Sequence, residues 1–420
     1  MRLPPAIITQ TEEVLREILR FTGPADGTLS RYFREHPKIG GRDRGAVAEG
    51  VYSLLRNKSV FASFAESGTG PAMRRLALLG LADVAGVDAL AGLSPEEADW
   101  LRRVMQIDRA TLPAAMRANL PAWLYDKLVA RYGEDETLAM VAALNSPAPL
   151  DLRVNAMKAS RDEVIAELAK APIASEPMPY APLGIRVYKK PALQNLPLFK
   201  DGAIEVQDEG SQLLSQIVGA KRGEMIVDFC AGAGGKTLAL GAAMRNTGRL
   251  YAFDVSEKRL AKLKPRLARS GLSNVHPVVI AHENDAKIKR LAGKIDRVLV
   301  DAPCSGLGTL RRNPDVKWRQ TPESLAELNA KQASILAGAA RLVKPGGRLL
   351  YATCSLLDEE NDAIVEQFLA QHQDFALVPM HEVLTEQKIE LEMQDYLKLL
   401  PHKHKTDGFF AAVLTRKKTT

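Results

Sequence analysis

The chain is poor in thiols: 420 residues carry three cysteines, Cys230, Cys304 and Cys354. None belongs to a CxxC pair or a close Cys/His cluster, which excludes a disulfide framework and a zinc-ribbon type of site and points to reduced cysteines. Apolar runs approaching the roughly 20 residues that span a bilayer are also missing. The opening stretch MRLPPAIITQTEEV lacks the basic head, apolar run and cleavage site of a secretory signal. A cytoplasmic protein that makes no use of a membrane is the resulting expectation. Internal repeats and low-complexity segments are missing too, which sets aside solenoids and disordered arrays.

What is present is an ordinary globular composition, 46% hydrophobic and 25% charged, on a chain long enough for two or three domains. The net charge of +7 is compatible with a polyanionic partner. The first 140 residues are balanced in charge, so the basic excess lies in the remainder.

Residues 1–143 read as all-α. TEEVLREILRF, RDRGAVAEGVYSLLRN, MRRLALLGLADVA and SPEEADWLRRVM all space apolar residues at three and four, and Ser94 with Glu96, Glu97 and Asp99 forms a capped first turn. Pro121 to Tyr132 adds another amphipathic stretch. Residues 144–200 read as a smaller α+β connector, with the alternating run LDLRVNA followed by SRDEVIAELAKA and a Pro-rich segment. Residues 201–420 alternate strands with helices around a mostly parallel sheet: EMIVDF, RLYAFD, NVHPVVI, DRVLVDAP and RLLYATC are the predicted strands. RKKTT reads as a frayed basic tail.

Strand EMIVDF runs into CAGAGGKT, a loop whose glycines permit tight turning and close approach of an adenosine-containing ligand. Asp254, 20 residues after Gly234, stands at the end of the next strand, where a carboxylate can accept from ribose hydroxyls. A phosphate-binding NTPase loop is excluded, because the residue six before Lys236 is Cys230 rather than glycine. A nicotinamide-dependent dehydrogenase stays open on the loop alone.

Two further strands end in DAPCSG and ATCSLLDEEN, bringing Asp301, Cys304 and Cys354 to carboxyl ends, where doubly wound sheets gather their ligands. Carbon 5 of cytosine is a poor nucleophile. Chemistry there requires a thiolate to add at C6, an acid near N3 such as Asp301, and a group to remove the C5 proton. Either cysteine can serve as nucleophile on this reasoning.

DFCAGAGGKT, DAPCSGLGTLRRNPDVKWR and YATCS resemble the motifs of the RsmB/Nop/Sun family of RNA cytosine-5 methyltransferases, and RVN, VQDEGSQL and HKTDGFFAAVL extend the resemblance over nearly the whole chain. It implies an α/β fold: a class I, Rossmann-like S-adenosyl-L-methionine (SAM) methyltransferase domain preceded by a small RNA-recognition-like α+β module and an N-terminal NusB-like all-α domain. It implies Cys354 as nucleophile, Cys304 assisting product release, and Asp301 in the catalytic set. Cofactor contacts carried over are Cys230, Ala231, Gly232, Ala233, Gly234, Gly235, Lys236, Asp254, Asp285 and Asp301. Ala233 replaces the proline common in the family loop. The implied substrate is a single-stranded or flipped-out cytosine of RNA, 16S ribosomal RNA foremost, met by a monomer.

Two basic segments bear on RNA. SEKRLAKLKPRLARSG reads as a solvated helix face, its charges falling on several sides. RRNPDVKWR, close behind Cys304, reads as RNA-facing, with Trp318 available to stack on a base. A methyltransferase-like RNA assembly factor without turnover is the non-enzymatic rival, and the paired cysteines with Asp301 argue against it.

Overall fold

The computed structural model describes residues 2–188 and 191–418. Of the RKKTT tail, Thr419 and Thr420 therefore lie outside the described residues, as do Lys189 and Lys190. The chain forms two compact units: residues up to 147 together with 309–322, and residues 148–308 together with 323–420.

The first unit is helical: α1 (Pro5–Ile18), α2 (Ala25–Glu35), α3 (Gly41–Arg56), α4 (Lys58–Glu66), α5 (Ala72–Ala85), α6 (Pro95–Met105), α7 (Ala114–Ala118), α8 (Ala122–Tyr132) and α9 (Glu134–Leu144). Its core holds the apolar stripe that the three- and four-residue spacing foretold, with Leu15, Val51, Leu54, Leu55, Leu78 and Leu79 all essentially fully buried, joined by Ile7 and Phe61 from outside the predicted segments. Burying each such side chain stabilises by about 2 kcal/mol before entropy is counted. At α6, Ser94 accepts from the Glu97 N–H while Glu97 reaches back to the Ser94 N–H, a complete capping box. The short helices α2 and α4 were not among the predicted segments. Only Asn57 separates α4 from α3, so no Gly or Pro announces the break.

The second unit opens with β1 (Leu150–Val154), α10 (Arg161–Lys170), β2 (Ser175–Pro177), β3 (Gly184–Val187), α11 (Pro197–Lys200) and β4 (Ile204–Val206). Its strands form an antiparallel sheet in the order β2-β3-β1-β4. Val164 and Leu168 of α10 share an apolar cluster with Leu152, Val154, Ile185 and Val187.

The larger sheet then builds from α12 (Glu209–Ile217), β5 (Met225–Asp228), α13 (Gly235–Ala243), β6 (Arg249–Asp254), α14 (Glu257–Ala261), α15 (Leu263–Ser270), β7 (Val275–Val279), α16 (Ala286–Lys289) and β8 (Ile295–Asp301). After α17 (Val316–Arg319), which belongs to the helical unit, come α18 (Pro322–Ala340), β9 (Val343–Thr353), α19 (Asp362–Gln371), β10 (Phe375–Val378), α20 (Met380–Gln387), β11 (Leu397–Leu399), α21 (Pro401–His404) and β12 (Phe409–Arg416). Strand order is β10-β12-β9-β8-β5-β6-β7, with β11 paired to β12. Strands β5 to β9 run parallel, and β12 lies antiparallel between β9 and β10. All five predicted strands are present. The order reverses between β5 and β8, and at such a switch point the loops leaving the strands diverge and open a crevice. The fold is Rossmann-like, as the resemblance implied.

Among the described residues no helix is long and apolar enough to cross a membrane.

Candidate active site

The loop from Cys230 to Lys236 leaves β5 beside that crevice. Ala231 N–H bonds to Phe253 O at 2.8 Å and Gly234 N–H to Ala231 O at 2.8 Å, so the loop is tied to β6 and to itself. Gly234 takes φ +85°, and a Cβ there would sit 2.1 Å from Leu263 Cδ1. Gly232 takes φ +56° with nothing within 4 Å of its would-be Cβ, so the space beside it is open to a ligand. The carbonyls of Ala233 and Gly235 accept from Arg266 at 2.6 Å and Arg153 at 2.7 Å.

Asp254 is buried at the end of β6. One oxygen accepts from Gly232 N–H at 2.8 Å, the other from Ser256 N–H at 2.7 Å and the Arg259 guanidinium at 3.0 Å. Asp285 caps α16: its oxygens accept from Ala281 N–H at 2.9 Å and Lys287 N–H at 2.8 Å, and these two bonds hold its carboxyl below the usual range. Its carboxylate is thus engaged by its own turn, unlike the loop and Asp254, which meet directly.

Lys236 Nζ donates to Asp301 Oδ2 at 2.6 Å. Burial disfavours its ammonium, but Asp301 outweighs that loss and raises its pKa. Asp228, which the sequence reading did not single out, ends β5 fully buried. Thr237 Oγ1 donates to its Oδ2 at 2.7 Å, while Oδ1 has no partner among the described residues. Desolvation is the main reason its pKa climbs from 3.8 to about 7. Burial, then Asp228 and Asp301, pushes the Cys230 thiol up.

The two remaining thiols meet. Cys304 Sγ lies 3.3 Å from Cys354 Sγ, on loops that leave the adjacent strands β8 and β9. The contact with Cys354, then burial, raises the Cys304 pKa well above the ordinary thiol value. Gly308 N–H bonds to Cys354 O at 2.8 Å, binding one loop to the other. The sequence-predicted residues Cys230 to Lys236, Asp254, Asp301, Cys304 and Cys354 thus all stand at the carboxyl ends of β5, β6, β8 and β9.

The two basic segments differ in part from their sequence reading. In the first, Lys258, Lys262 and Lys264 are exposed as expected, and Arg259 stays exposed while reaching Asp254; Arg266 and Arg269 are half-buried on Ala233 O and Glu205, and Arg269 also covers the Phe199 ring at 4.1 Å. Those two arginines are loop scaffolding rather than solvated charge. In the second, Lys317 is buried and donates to Arg56 O at 3.1 Å and Asn145 Oδ1 at 2.8 Å. Trp318 Nε1 donates to Leu55 O at 2.9 Å, and Lys58 Nζ stands 4.4 Å from the ring centroid. The partly buried indole packs against the helical unit's apolar cluster.

Residues 215–415 match the family model described as 16S rRNA methyltransferase RsmB/F, and residues 120–194 match its ferredoxin-like domain. The chain is 33% identical to a probable ribosomal RNA small subunit methyltransferase B of Synechocystis sp., over 96% of this chain and 98% of the relative. The chain belongs to the RsmB/F methyltransferase family. A Bacillus subtilis protein, also described as a probable ribosomal RNA small subunit methyltransferase B, is 34% identical over 72% of this chain and 68% of its own length. Among solved structures, PH0851 superposes with a TM-score of 0.80 at 27% identity, covering 99% of both chains. A methyltransferase homologue from Pyrococcus horikoshii superposes at 0.63 with 30% identity, covering 74% of this chain and all of that one.

SAM is the cofactor of this RsmB/F family member. Its residues fit the group: open space beside Gly232, an unpartnered buried oxygen on Asp228, and carboxylates at Asp228 and Asp301 to face a ligand bearing a sulfonium and an ammonium.

Proposed function

We propose that the chain methylates C5 of a cytosine in RNA, 16S ribosomal RNA foremost, through a covalent bond from Cys354 to C6. The observation that carries this reading is the pair of thiols 3.3 Å apart beside the Lys236–Asp301 pair. One thiol suffices for nucleophilic attack; a second at contact distance suits a reaction that must also remove a proton and expel the first.

When bound, SAM supplies the electrophilic methyl group. Residues Cys230–Lys236 and Asp254 would hold it, with Asp285 at the adenine side. Cys354 loses its proton to solvent and adds to C6, and N3 takes a proton passed from the Lys236 ammonium through Asp301, which leaves Lys236 neutral, relieves the negative charge and makes C5 nucleophilic. Once Cys354 is committed to a C–S bond, its contact no longer raises the Cys304 pKa. Cys304 can then lose its proton to solvent and take the one from C5. The electron pair of that C–H bond re-forms the C5–C6 double bond and expels Cys354 as thiolate.

Labour divides three ways in this reading: helical residues to 143, with 309–322, for docking; 144–200 as a connector; and the rest of the region from 201 for catalysis. The enzyme works in this reading as a cytoplasmic monomer on a single-stranded or flipped-out cytosine, with no membrane. The test is bisulfite sequencing of small-subunit ribosomal RNA from a strain lacking the gene and from the complemented strain. One cytosine should lose its protection and regain it. An unchanged map would favour the assembly-factor rival.

A further inference from the structure

The acid-rich run DEEN after Cys354 looks like the charged start of a helix, yet Glu360 has no exposure at all. Its carboxylate is saturated by groups from three separate segments. Ser305 N–H donates to Oε1 at 2.7 Å and Ser305 Oγ to Oε2 at 2.5 Å. Ser355 Oγ also donates to Oε2. Gln332 Nε2, from α18, donates to Oε1 at 3.0 Å and at the same distance to Pro303 O. Ser305 directly follows Cys304, and Ser355 directly follows Cys354. Both serines are buried.

A buried carboxylate with its acceptors filled is held rigidly, because giving up any one bond strands a charge in a low-dielectric interior. The backbone around it is fixed as well: Tyr351 OH donates to Glu360 O at 2.7 Å, and Thr353 Oγ1 to Asn361 Oδ1 at 2.5 Å. The thiols themselves are held by little more than each other and the backbone of Cys354.

We propose that Glu360 is a positioning residue that clamps the two cysteine-bearing loops together and so sets the separation of the Cys304 and Cys354 thiols. Its role in turnover rests on the cytosine-methylation reading above; its role in holding the thiols does not. Glutamine at 360 can preserve the geometry, since its oxygen can accept from Ser305 N–H and Gln332 while its amide donates to the two serine hydroxyls. Alanine removes every bond that the Glu360 carboxylate makes and leaves the loops joined by Gly308 N–H to Cys354 O and by the contact between the two serine hydroxyls.

Arsenous acid, As(OH)3, reads thiol juxtaposition without RNA or cofactor: two thiols close on arsenic with release of two waters. Full-length protein, with Cys304→Ala and Cys354→Ala as single-thiol controls, should capture arsenite. Glu360→Gln should capture it at a rate within about threefold, and Glu360→Ala at least tenfold more slowly. In methyl transfer, Glu360→Ala should lose about a hundredfold in kcat with little change in KM for RNA, and Glu360→Gln should recover most of it. If Glu360→Ala proves too unstable to purify, Ser305→Ala and Ser355→Ala each remove one strut and should each slow capture severalfold. Unslowed capture by the alanine variants, or no capture by the unsubstituted protein, overturns the proposal. If arsenite capture follows the predicted order while the unsubstituted protein methylates no RNA cytosine, the clamp stands and the functional reading fails.

Discussion

Asp228→Asn separates what the site costs the fold from what it gives the cofactor. The carboxyl is fully buried, with one oxygen bonded to Thr237 and the other without a partner, and its pKa has moved from 3.8 to about 7. A raised acid binds its proton more tightly folded than unfolded. Its contribution is therefore whole below pH 3.8, declines as pH rises, and is lost once pH passes about 7. At about 1.4 kcal/mol per pH unit, that interval corresponds to a penalty near 4 kcal/mol at pH 8 as an upper bound. Asparagine can still accept from Thr237 and has no charge to bury. The cofactor-free variant should accordingly gain about 2–4 kcal/mol over the parent at pH 8 and little at pH 4, seen as a Tm rise of several degrees in scanning calorimetry. SAM should stabilise the variant less than the parent, because a carboxylate facing a cationic ligand is gone. Equal stability differences at pH 4 and pH 8 would refute the reasoning, since a packing change has no reason to follow protonation.

Cys354→Ala should abolish methylation, while Cys304→Ala should accumulate a covalent protein–RNA adduct, seen as a retarded band on denaturing gels; the reverse pattern exchanges their roles. Iodoacetamide should label Cys304 severalfold faster in Cys354→Ala than in the parent at pH 8, since the first cause of its raised pKa is removed; mass spectrometry of the Cys304 peptide reports it. Trp318→Ala should cost the helical unit about 2–3 kcal/mol in denaturant melts and leave affinity for single-stranded RNA within about twofold; a large loss of affinity at unchanged stability would restore the stacking role. Gly234→Ala should cost about 2–4 kcal/mol, from a positive φ and a Cβ pressed onto Leu263, and Gly232→Ala about half as much, both read by calorimetry.

The central sheet was legible because β5, β6, β8 and β9 are apolar runs bounded by turn residues, a pattern fully buried parallel strands impose. The same logic fails at β12. FFAAVL is buried throughout and lacks the alternation that would mark an antiparallel strand, so nothing local assigns it to the gap between β9 and β10. In the site, the glycine loop, Asp254 and both cysteines announced themselves by position. Asp228 was signalled only by standing last in β5 ahead of that loop. Glu360 was not signalled at all: in DEEN three acids look alike, and the tertiary fold chooses which turns inward. Trp318 shows the same ambiguity, because a tryptophan among cations reads identically whether it awaits a base or packs on a helical core.

The two cysteines are equivalent in the chemistry that cytosine demands, and resemblance alone named Cys354 the nucleophile. The contact between the sulfurs, 3.3 Å apart, is symmetric: whichever thiol ionises first leaves the proton of the other held. With Cys354 as the first, the contact, then burial and the charge of Glu360, hold the proton of Cys304 until Cys354 has become a thioether and neither bonds nor repels its neighbour's sulfur. Order in the reaction then follows from the coupling between the thiols: the first bond formed releases the second group, and a clamp that fixed the sulfurs farther apart would lose that timing.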